Sequence, residues 1–245
     1  MEEEFMIKMP VLEMFTTLNG EGQFSGKPVV FVRLVGCNIR CKYGASGTCD
    51  TPESLLFPHE RPVKDWEDLT AKEIGEYVKQ SGVKHVTLTG GNPCSRPNIG
   101  KFIMELAEEF GEDVHIEIEE NGSVDIKRVV LDHLTDEVRK RVHFTLDYKC
   151  ISSFVNKLMI MDNWNYLNET DVIKCVVADK VDMDDAVAKY RQIKPLAPLY
   201  FSPMFGVTDL QELWEYAYQP EVVDLNIRVQ YQLHKLFYDP SVKGV

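Results

Sequence analysis

Short β-rich runs alternate with amphipathic helical runs along almost the whole chain, and no other feature narrows the possible folds as much. "KPVVFVRLVG", "KHVTLTGG", "DVHIEIEENG", "HFTLDYK", "DVIKCVVAD", "PLYFSPMFG" and "NIRVQYQLHK" read as strands. "TAKEIGEYVKQSG", "NIGKFIMELAEEFG", "MDDAVAKYRQIK" and "DLQELWEYAY" read as helices, with apolar positions at helical spacing. Such alternation marks βαβ units, in which parallel strands lie under crossover helices. The expected fold class is α/β with a mainly parallel sheet. Seven strands suit an open or incomplete (β/α) barrel, and a closed eight-unit barrel only marginally. No linker, repeat or low-complexity segment interrupts residues 1–245, so a single domain is expected. Residues 52–69, "PESLLFPHERPVKDWEDL", show neither period and are expected to form a loop insertion.

Composition excludes some function classes. The net charge is -12, so counterion release gives no affinity for nucleic acid, and no nucleic-acid partner is expected. No run reaches the eighteen or so apolar residues of a membrane span, and the acidic start "MEEEFMIKMP" lacks the apolar core of a signal peptide. The expected location is a reducing cytoplasm, with no membrane contact.

Three of the six cysteines sit close together: Cys37, Cys41 and Cys49, spaced C-x3-C-x7-C. A structural zinc site wants four ligands and a disulfide framework an even number. Cys94, Cys150 and Cys175 are scattered singly, as buried small hydrophobes are. Three thiolates on one loop could hold three irons of a 4Fe-4S cluster and leave the fourth open. They could also form a zinc knuckle completed by a distant His or Cys.

In parallel α/β folds ligands bind at the carboxyl ends of the strands. The cysteine loop follows one such end, "TGGNP" (89–93) the next, then "EENG" (119–122) and "DYK" (147–149). All should surround one mouth. The glycines let a backbone approach a ligand closely, although Gly90, Gly91 and Pro93 could equally make a tight turn. Glu119 is suited to accept ribose hydroxyls, but it and Asn121 could be solvated loop residues.

This set resembles the radical S-adenosylmethionine (SAM) superfamily, in which a three-cysteine loop holds a 4Fe-4S cluster and a "GGEP"-like strand end receives the SAM amino group. The usual spacing there is C-x3-C-x2-C with an aromatic before the third cysteine. This chain keeps Cys37, Cys41 and Tyr43 but inserts "GASGT" before Cys49, and it carries Asn92 where Glu is commoner. Within the superfamily, "PVLEMFTTLNGEGQFSGKPVVFVRLVGC", "CDT", "SPMFG" and "RVQYQLHK" resemble the 7-carboxy-7-deazaguanine synthase family, from residue 10 to residue 235. The resemblance implies an incomplete (β/α) barrel, a homodimer, and ring contraction of 6-carboxy-5,6,7,8-tetrahydropterin to 7-carboxy-7-deazaguanine with loss of ammonia. It implies a lyase of queuosine-type deazapurine biosynthesis using a 4Fe-4S cluster, Mg²⁺ and SAM that is used catalytically. An electron donor such as flavodoxin would serve it.

Carried over by resemblance, Cys37, Cys41 and Cys49 hold the cluster and Thr51 of "CDT" the magnesium. Gly90, Gly91, Asn92, Glu119, Asn121, Asp147 and Lys149 fall to SAM. Asn19, Glu21, Arg33, Thr89, Gln232 and His234 fall to the pterin. Glu21 suits the amino-pyrimidinone edge, and the Arg33 guanidinium suits the substrate carboxylate. Arg33 could instead make an ordinary ion pair, "NGEG" a solvated turn, Thr51 a helix cap, and "RVQYQLHK" a plain half-buried strand. His59, His85, His115, His133 and His143 carry no motif. Two competing readings stay open: a radical SAM activase acting on a partner protein, and a zinc-binding interaction module without activity.

Overall fold

The computed structural model describes residues 6–43, 47–239, 242 and 244. Among the described residues nine strands form one sheet: β1 (Lys8–Leu18), β2 (Pro28–Leu34), β3 (Glu67–Thr70), β4 (His85–Gly90), β5 (His115–Glu120), β6 (Val142–Tyr148), β7 (Val172–Val177), β8 (Leu199–Pro203) and β9 (Arg228–Val229). The order across the sheet is β3-β1-β2-β4-β5-β6-β7-β8-β9. From β2 to β9 every pairing is parallel, while β1 runs antiparallel to both β2 and β3. The helices are α1 (Ala71–Ser81), α2 (Ile99–Phe110), α3 (Ile126–Val129), α4 (Asp136–Arg139), α5 (Lys180–Ile193), α6 (Leu210–Tyr216) and α7 (His234–Phe237). The sheet stays open, as the alternating pattern predicts.

Each strand sends alternate side chains to two different environments. Val30, Val32 and Leu34 of β2, Val86 and Leu88 of β4, and Ile116 and Ile118 of β5 join the core with Ile74 of α1 and Phe102, Ile103 and Leu106 of α2. Burying each such side chain contributes about 1.5–3 kcal/mol. The intervening positions are polar: Thr89, Glu119, Asp147 and Lys174 line one cavity, and Thr87 and Thr145 hydrogen-bond the buried Glu117. The helix ends follow local chemistry. Thr70 and Glu73 form a reciprocal capping box on α1, which stops at Gly82 in the left-handed region (φ +69°).

Two strands lie where the sequence pattern gives none. Lys8–Leu18 forms β1 despite Pro10, whose carbonyl accepts from Val35 N at 3.1 Å, and a bulge lies between Val11 and Glu13. The expected loop insertion at 52–69 ends in β3, which pairs with β1 and shares Thr70 with the α1 cap. A third difference is at the carboxyl end. "RVQYQLHK" is a strand only at Arg228–Val229, and α7 begins at His234. Gln230 N still donates to Phe201 O of β8 (2.9 Å), while its side chain accepts from Gly22 N (2.9 Å) and donates to Ser202 Oγ (3.0 Å), and Leu233 N donates to Gly20 O (3.0 Å). Gln230 thus joins β8 to the β1–β2 turn, and past it the segment follows the turn through Leu233.

Three of the five histidines without a motif share one place. His85, His115 and His143 stack across β4, β5 and β6 with ring centroids 5.5 and 5.1 Å apart, and Phe24 packs against them. Burial pushes His85 and His143 down to about 4. Unfolded, they titrate near 6.5, so the stability of the neutral stack is fully present above that pH and is lost as pH falls through about 4. NMR of the ring protons should find both neutral at about pH 5.5; titration of both at the unfolded value would contradict the packed stack.

Candidate active site

The cysteine loop begins where β2 ends. Gly36 N donates to Ser54 O (2.6 Å) and Cys37 N to Leu55 O (2.9 Å), which closes the loop at its base. Tyr43 pairs with Thr48 as an isolated antiparallel bridge. Tyr43 and Thr48, either side of residues 44–47, are thus held together next to Cys49, and residues 44–46 of the "GASGT" insert lie outside the described residues. Cys37 and Cys41 are buried in a small apolar cluster with Ile39 and Val155, separate from the main core. Cys49 is half-buried, and all six cysteines are free thiols.

The sulfurs have polar neighbours. Asn121 Nδ2 approaches Cys37 Sγ at 3.6 Å, and Thr51 N donates to Cys49 Sγ at 3.5 Å. Burial pushes the Cys41 thiol up, and burial with the Asp50 carboxylate pushes Cys49 to about 12. Such thiols ionise when a metal supplies the compensating charge. Among the described residues, no three His, Cys, Asp or Glu side chains converge as one metal ion requires. A cubane asks for something else, since each sulfur takes a different iron. Three free thiols on one cavity wall, with amide donors to two of them, fit that group.

One cavity of about 470 Å³ opens at the carboxyl ends of the parallel strands. Its wall includes every candidate residue read from the sequence except Asn92: the three cysteines, Thr51, Gly90, Gly91, Glu119, Asn121, Asp147, Lys149, Asn19, Glu21, Arg33, Thr89, Gln232 and His234. Asn92 lies behind it, buried, with its amide donating to Glu120 Oε1 (2.9 Å) and Asn38 Oδ1 (3.1 Å). A glutamate at 92 would face the Glu120 carboxylate, which suggests why an amide suits this chain. Burial raises the Glu120 carboxyl to about 7, although Asn92 and Gly122 N donate to it.

The glycines at the β4 end answer first to packing. A Cβ on Gly90 (φ +128°) would lie 2.0 Å from Leu34 O, and one on Gly91 2.3 Å from Gly36 O. Close approach of strand ends therefore requires glycine here even before any ligand is considered.

The floor of the cavity is ionic. Lys174 Nζ on β7 lies 2.7 Å from Glu21 Oε1 and 3.3 Å from Asp147 Oδ1, and Lys149 pairs with Asp147 Oδ2. Burial opposes charge on Asp147, but Lys149 and Lys174 outweigh it and hold the carboxyl below the usual range. Burial raises Glu119, which accepts from Thr89 Oγ1. Beneath lies Glu117, fully enclosed: Asn19 Nδ2 (2.8 Å) and Thr87 Oγ1 (3.0 Å) donate to one oxygen and Thr145 Oγ1 (2.6 Å) to the other. Asn19 in turn accepts from Glu21 N at 3.1 Å, so the turn carrying Glu21 is fixed from below. Gly22, at φ +77°, fits because a Cβ would strike Glu117 Oε1 at 2.8 Å.

Arg33 is engaged through Nε to Glu13 Oε1 at 2.7 Å. Among the described residues its two terminal nitrogens make no bond, and the guanidinium lines the cavity. The ion-pair and substrate-binding readings of Arg33 are therefore compatible. Thr51 precedes a short 3₁₀ turn, Pro52–Ser54, but its side chain makes no capping bond. The hydroxyl faces Asp50 Oδ1 at 3.3 Å instead. His234 packs on Gly20, where a Cβ would come within 2.5 Å of its Nδ1. The sequence reading missed Lys174, Glu117 and Glu120. A lone lysine inside the apolar run "DVIKCVVAD" and the alternation of "HIEIEE" were the available signals.

A mainly parallel open sheet with three free cysteines at its carboxyl-end mouth defines a class, and the Radical SAM superfamily model matches residues 31–165, more than half the chain. The 7-carboxy-7-deazaguanine synthase of Clostridium acetobutylicum is 33% identical over 238 residues, covering 96% of this chain and 98% of its own. That of Thermoplasma acidophilum is 30% identical over 237 residues, covering 97% and 100%. The crystal structure of QueE from Escherichia coli superposes with a TM-score of 0.68 over 93% of this chain and 95% of its own, at 22% identity, a likeness of fold. The chain belongs to the 7-carboxy-7-deazaguanine synthase family of the radical SAM superfamily.

Proposed function

We propose that this chain converts 6-carboxy-5,6,7,8-tetrahydropterin to 7-carboxy-7-deazaguanine with release of ammonia, as a lyase of queuosine-type deazapurine biosynthesis. The observation that carries the reading is the single mouth in which three free thiols, a glycine strand end and a buried ionic floor meet. Cys37, Cys41 and Cys49 would hold a 4Fe-4S cluster, and Gly90, Gly91, Asn92, Glu119, Asn121, Asp147 and Lys149 would seat SAM. Together these groups supply one-electron chemistry that no side chain of the protein can. The chain itself binds, orients and keeps the reaction dry. Glu21, held by Lys174, accepts hydrogen bonds from the amino-pyrimidinone edge, while Asn19, Thr89, Gln232 and His234 complete the pterin's surroundings. In turnover, we infer a flavodoxin-type electron donor, a homodimer and a cytoplasmic setting; the free cysteines support the last. Among the described residues no helix is long and apolar enough to cross a membrane.

The test is anaerobic turnover with SAM, magnesium, reductant and the carboxypterin, read by mass spectrometry. Formation of 7-carboxy-7-deazaguanine is expected. SAM cleavage without that product, or with a radical delivered to a partner protein, would replace the reading with an activase.

Arg33→Ala should weaken carboxypterin binding by about 2–5 kcal/mol and spare SAM binding, because a charge-assisted partner is lost from a desolvated site. Arg33→Lys should rescue little, since an ammonium lacks the bidentate fork. Calorimetric titration of both ligands checks this, and equal loss of both would remove Arg33 from the substrate site.

Magnesium prefers hard oxygens and keeps several waters, so the Thr51 hydroxyl and the substrate carboxylate make a plausible shell. Thr51→Ala should keep the cluster and still cleave SAM but lose magnesium stimulation of turnover. Full magnesium-dependent activity in that variant would put the ion elsewhere.

A further inference from the structure

Arg96 carries two buried guanidinium nitrogens that nothing in the chain satisfies. Just past the β4 end, a short 3₁₀ turn, Pro93–Ser95, brings the chain back, and Arg96 N donates to Pro93 O at 3.1 Å. Among the described residues, Arg96 Nε and Nη2 are buried and make no hydrogen bond. Buried polar groups are almost always paired, and a buried charge without a partner is the costliest exception. Burial alone pushes this guanidinium down to about 10, with no carboxylate to offset it. The other side of Arg96 opens on a hollow shared with Lys8, Asn98 and Asp68. Asp68 does not compensate, because Lys64 Nζ (2.8 Å) and Trp66 Nε1 (3.2 Å) engage its two oxygens.

The enclosed nitrogens point at the base of the cysteine loop. The guanidinium lies over the Phe57 ring, 4.9 Å from its centroid. A Cβ on Gly36 would come within 2.1 Å of Arg96 Nη2 and 2.5 Å of Phe57 Cδ1. Gly36 itself is fixed on both sides, its N donating to Ser54 O (2.6 Å) and its O accepting from Asn92 N (2.9 Å). The next residue is Cys37. Adjacent Cα atoms are about 3.8 Å apart, so Nη2 stands within roughly 10 Å of the Cys37 sulfur.

We propose that Arg96 is the built-in counter-charge of the metal centre: its guanidinium, held behind the Gly36–Cys37 base of the loop, favours the reduced cluster and raises its reduction potential. The inference rests on the radical SAM reading above and adds a positioning residue that acts through its field. A four-iron cluster on three thiolates is anionic and becomes more so when an external reductant gives it one electron. A nearby cation therefore stabilises the reduced form more than the oxidised one, and an enclosed pair of charges is screened little by salt.

The experiment measures midpoint potentials of anaerobically reconstituted wild type, Arg96→Met and Arg96→Lys. Each is titrated with dithionite through mediator dyes without SAM, and the reduced cluster is read by EPR. Arg96→Met should make reduction about tenfold less favourable, a fall of 59 mV for one electron. Arg96→Lys keeps the charge and should fall less. Denaturant unfolding of the apo-proteins is the second measurement. There Arg96→Met should be at least as stable as wild type, because it removes an uncompensated cation. An unchanged midpoint in Arg96→Met would overturn the proposal. Equal shifts in Arg96→Met and Arg96→Lys would overturn it too, since shape rather than charge would then set the potential. So would a less stable Arg96→Met apo-protein, or one that takes up no four-iron cluster, by making the side chain a structural support of the loop. A wild type that itself holds no four-iron cluster would overturn the radical SAM reading, whereas a four-iron wild type with unshifted variants overturns the role of Arg96 alone.

Discussion

Replacing Cys37, Cys41 or Cys49 by alanine should abolish stable four-iron incorporation, with iron and sulfide falling to near background and all SAM-dependent activity lost. Each sulfur is the sole protein ligand of one iron in this account, so the remaining two cannot retain the cubane against exchange. The other three thiols are no substitutes. Cys94 is buried in the main core, where burial and the Glu120 carboxylate push it well up. Cys150 and Cys175 are likewise buried in that core. Their alanine variants should retain the cluster. Iron and sulfide analysis with visible absorbance checks all six. Retention by Cys49→Ala together with loss in Cys94→Ala would overturn the ligand assignment.

Lys174→Met should destabilise the apo-protein by about 3–5 kcal/mol, because it strips the cation from two enclosed carboxylates, Glu21 and Asp147. Burial opposes the charge on Lys174, but Asp147 and Glu21 outweigh it and hold the ammonium well above its usual range. Lys149 remains for Asp147, so the larger loss falls on Glu21 and with it the turn that faces the cavity. Pterin affinity should drop in parallel. Adding Glu21→Gln to Lys174→Met should recover part of the stability but not the pterin binding, as a coupled pair requires. Denaturant unfolding of the single and double variants is the measurement. A change under about 1 kcal/mol in Lys174→Met would show that the pair is solvated rather than enclosed.

The parallel βαβ core was legible because its strands and helices each carry a period that burial imposes. Strands β1 and β3 were not. Lys8–Leu18 contains a proline and a bulge that break strict alternation, and Glu67–Thr70 is four residues long with two exposed acids. The reverse error occurred at "RVQYQLHK", where perfect alternation suggested a strand. Its polar positions alternate for another reason: Gln230 binds Gly22 and Ser202, while Gln232 and His234 reach the cavity. Its place beside the site, implied by resemblance, agrees with the fold even though its strand character does not.

Much of the mouth was readable because the chemistry-bearing residues follow strand ends in order. What could not be read was the pairing across the open sheet. That Lys174 meets Glu21, 153 residues away, follows only from the curl of the sheet. The glycines carried an ambiguous message. Their absence of a side chain predicted close approach, and the contact in the structure is backbone against backbone, Gly90 on Leu34 and Gly91 on Gly36. The Asn92–Glu120 pair likewise gives the departure from "GGEP" a local physical reason that the sequence alone could not supply.

The central claim is a metal centre held by three thiolates and left open at its fourth iron. Mössbauer spectroscopy of protein reconstituted anaerobically with ⁵⁷Fe, with and without SAM, tests it most directly. The account predicts a four-iron cluster in which one iron site changes its isomer shift and quadrupole splitting when SAM is added, while the other three do not. A colourless protein that retains zinc, or a cluster whose four irons are equivalent and indifferent to SAM, would contradict it.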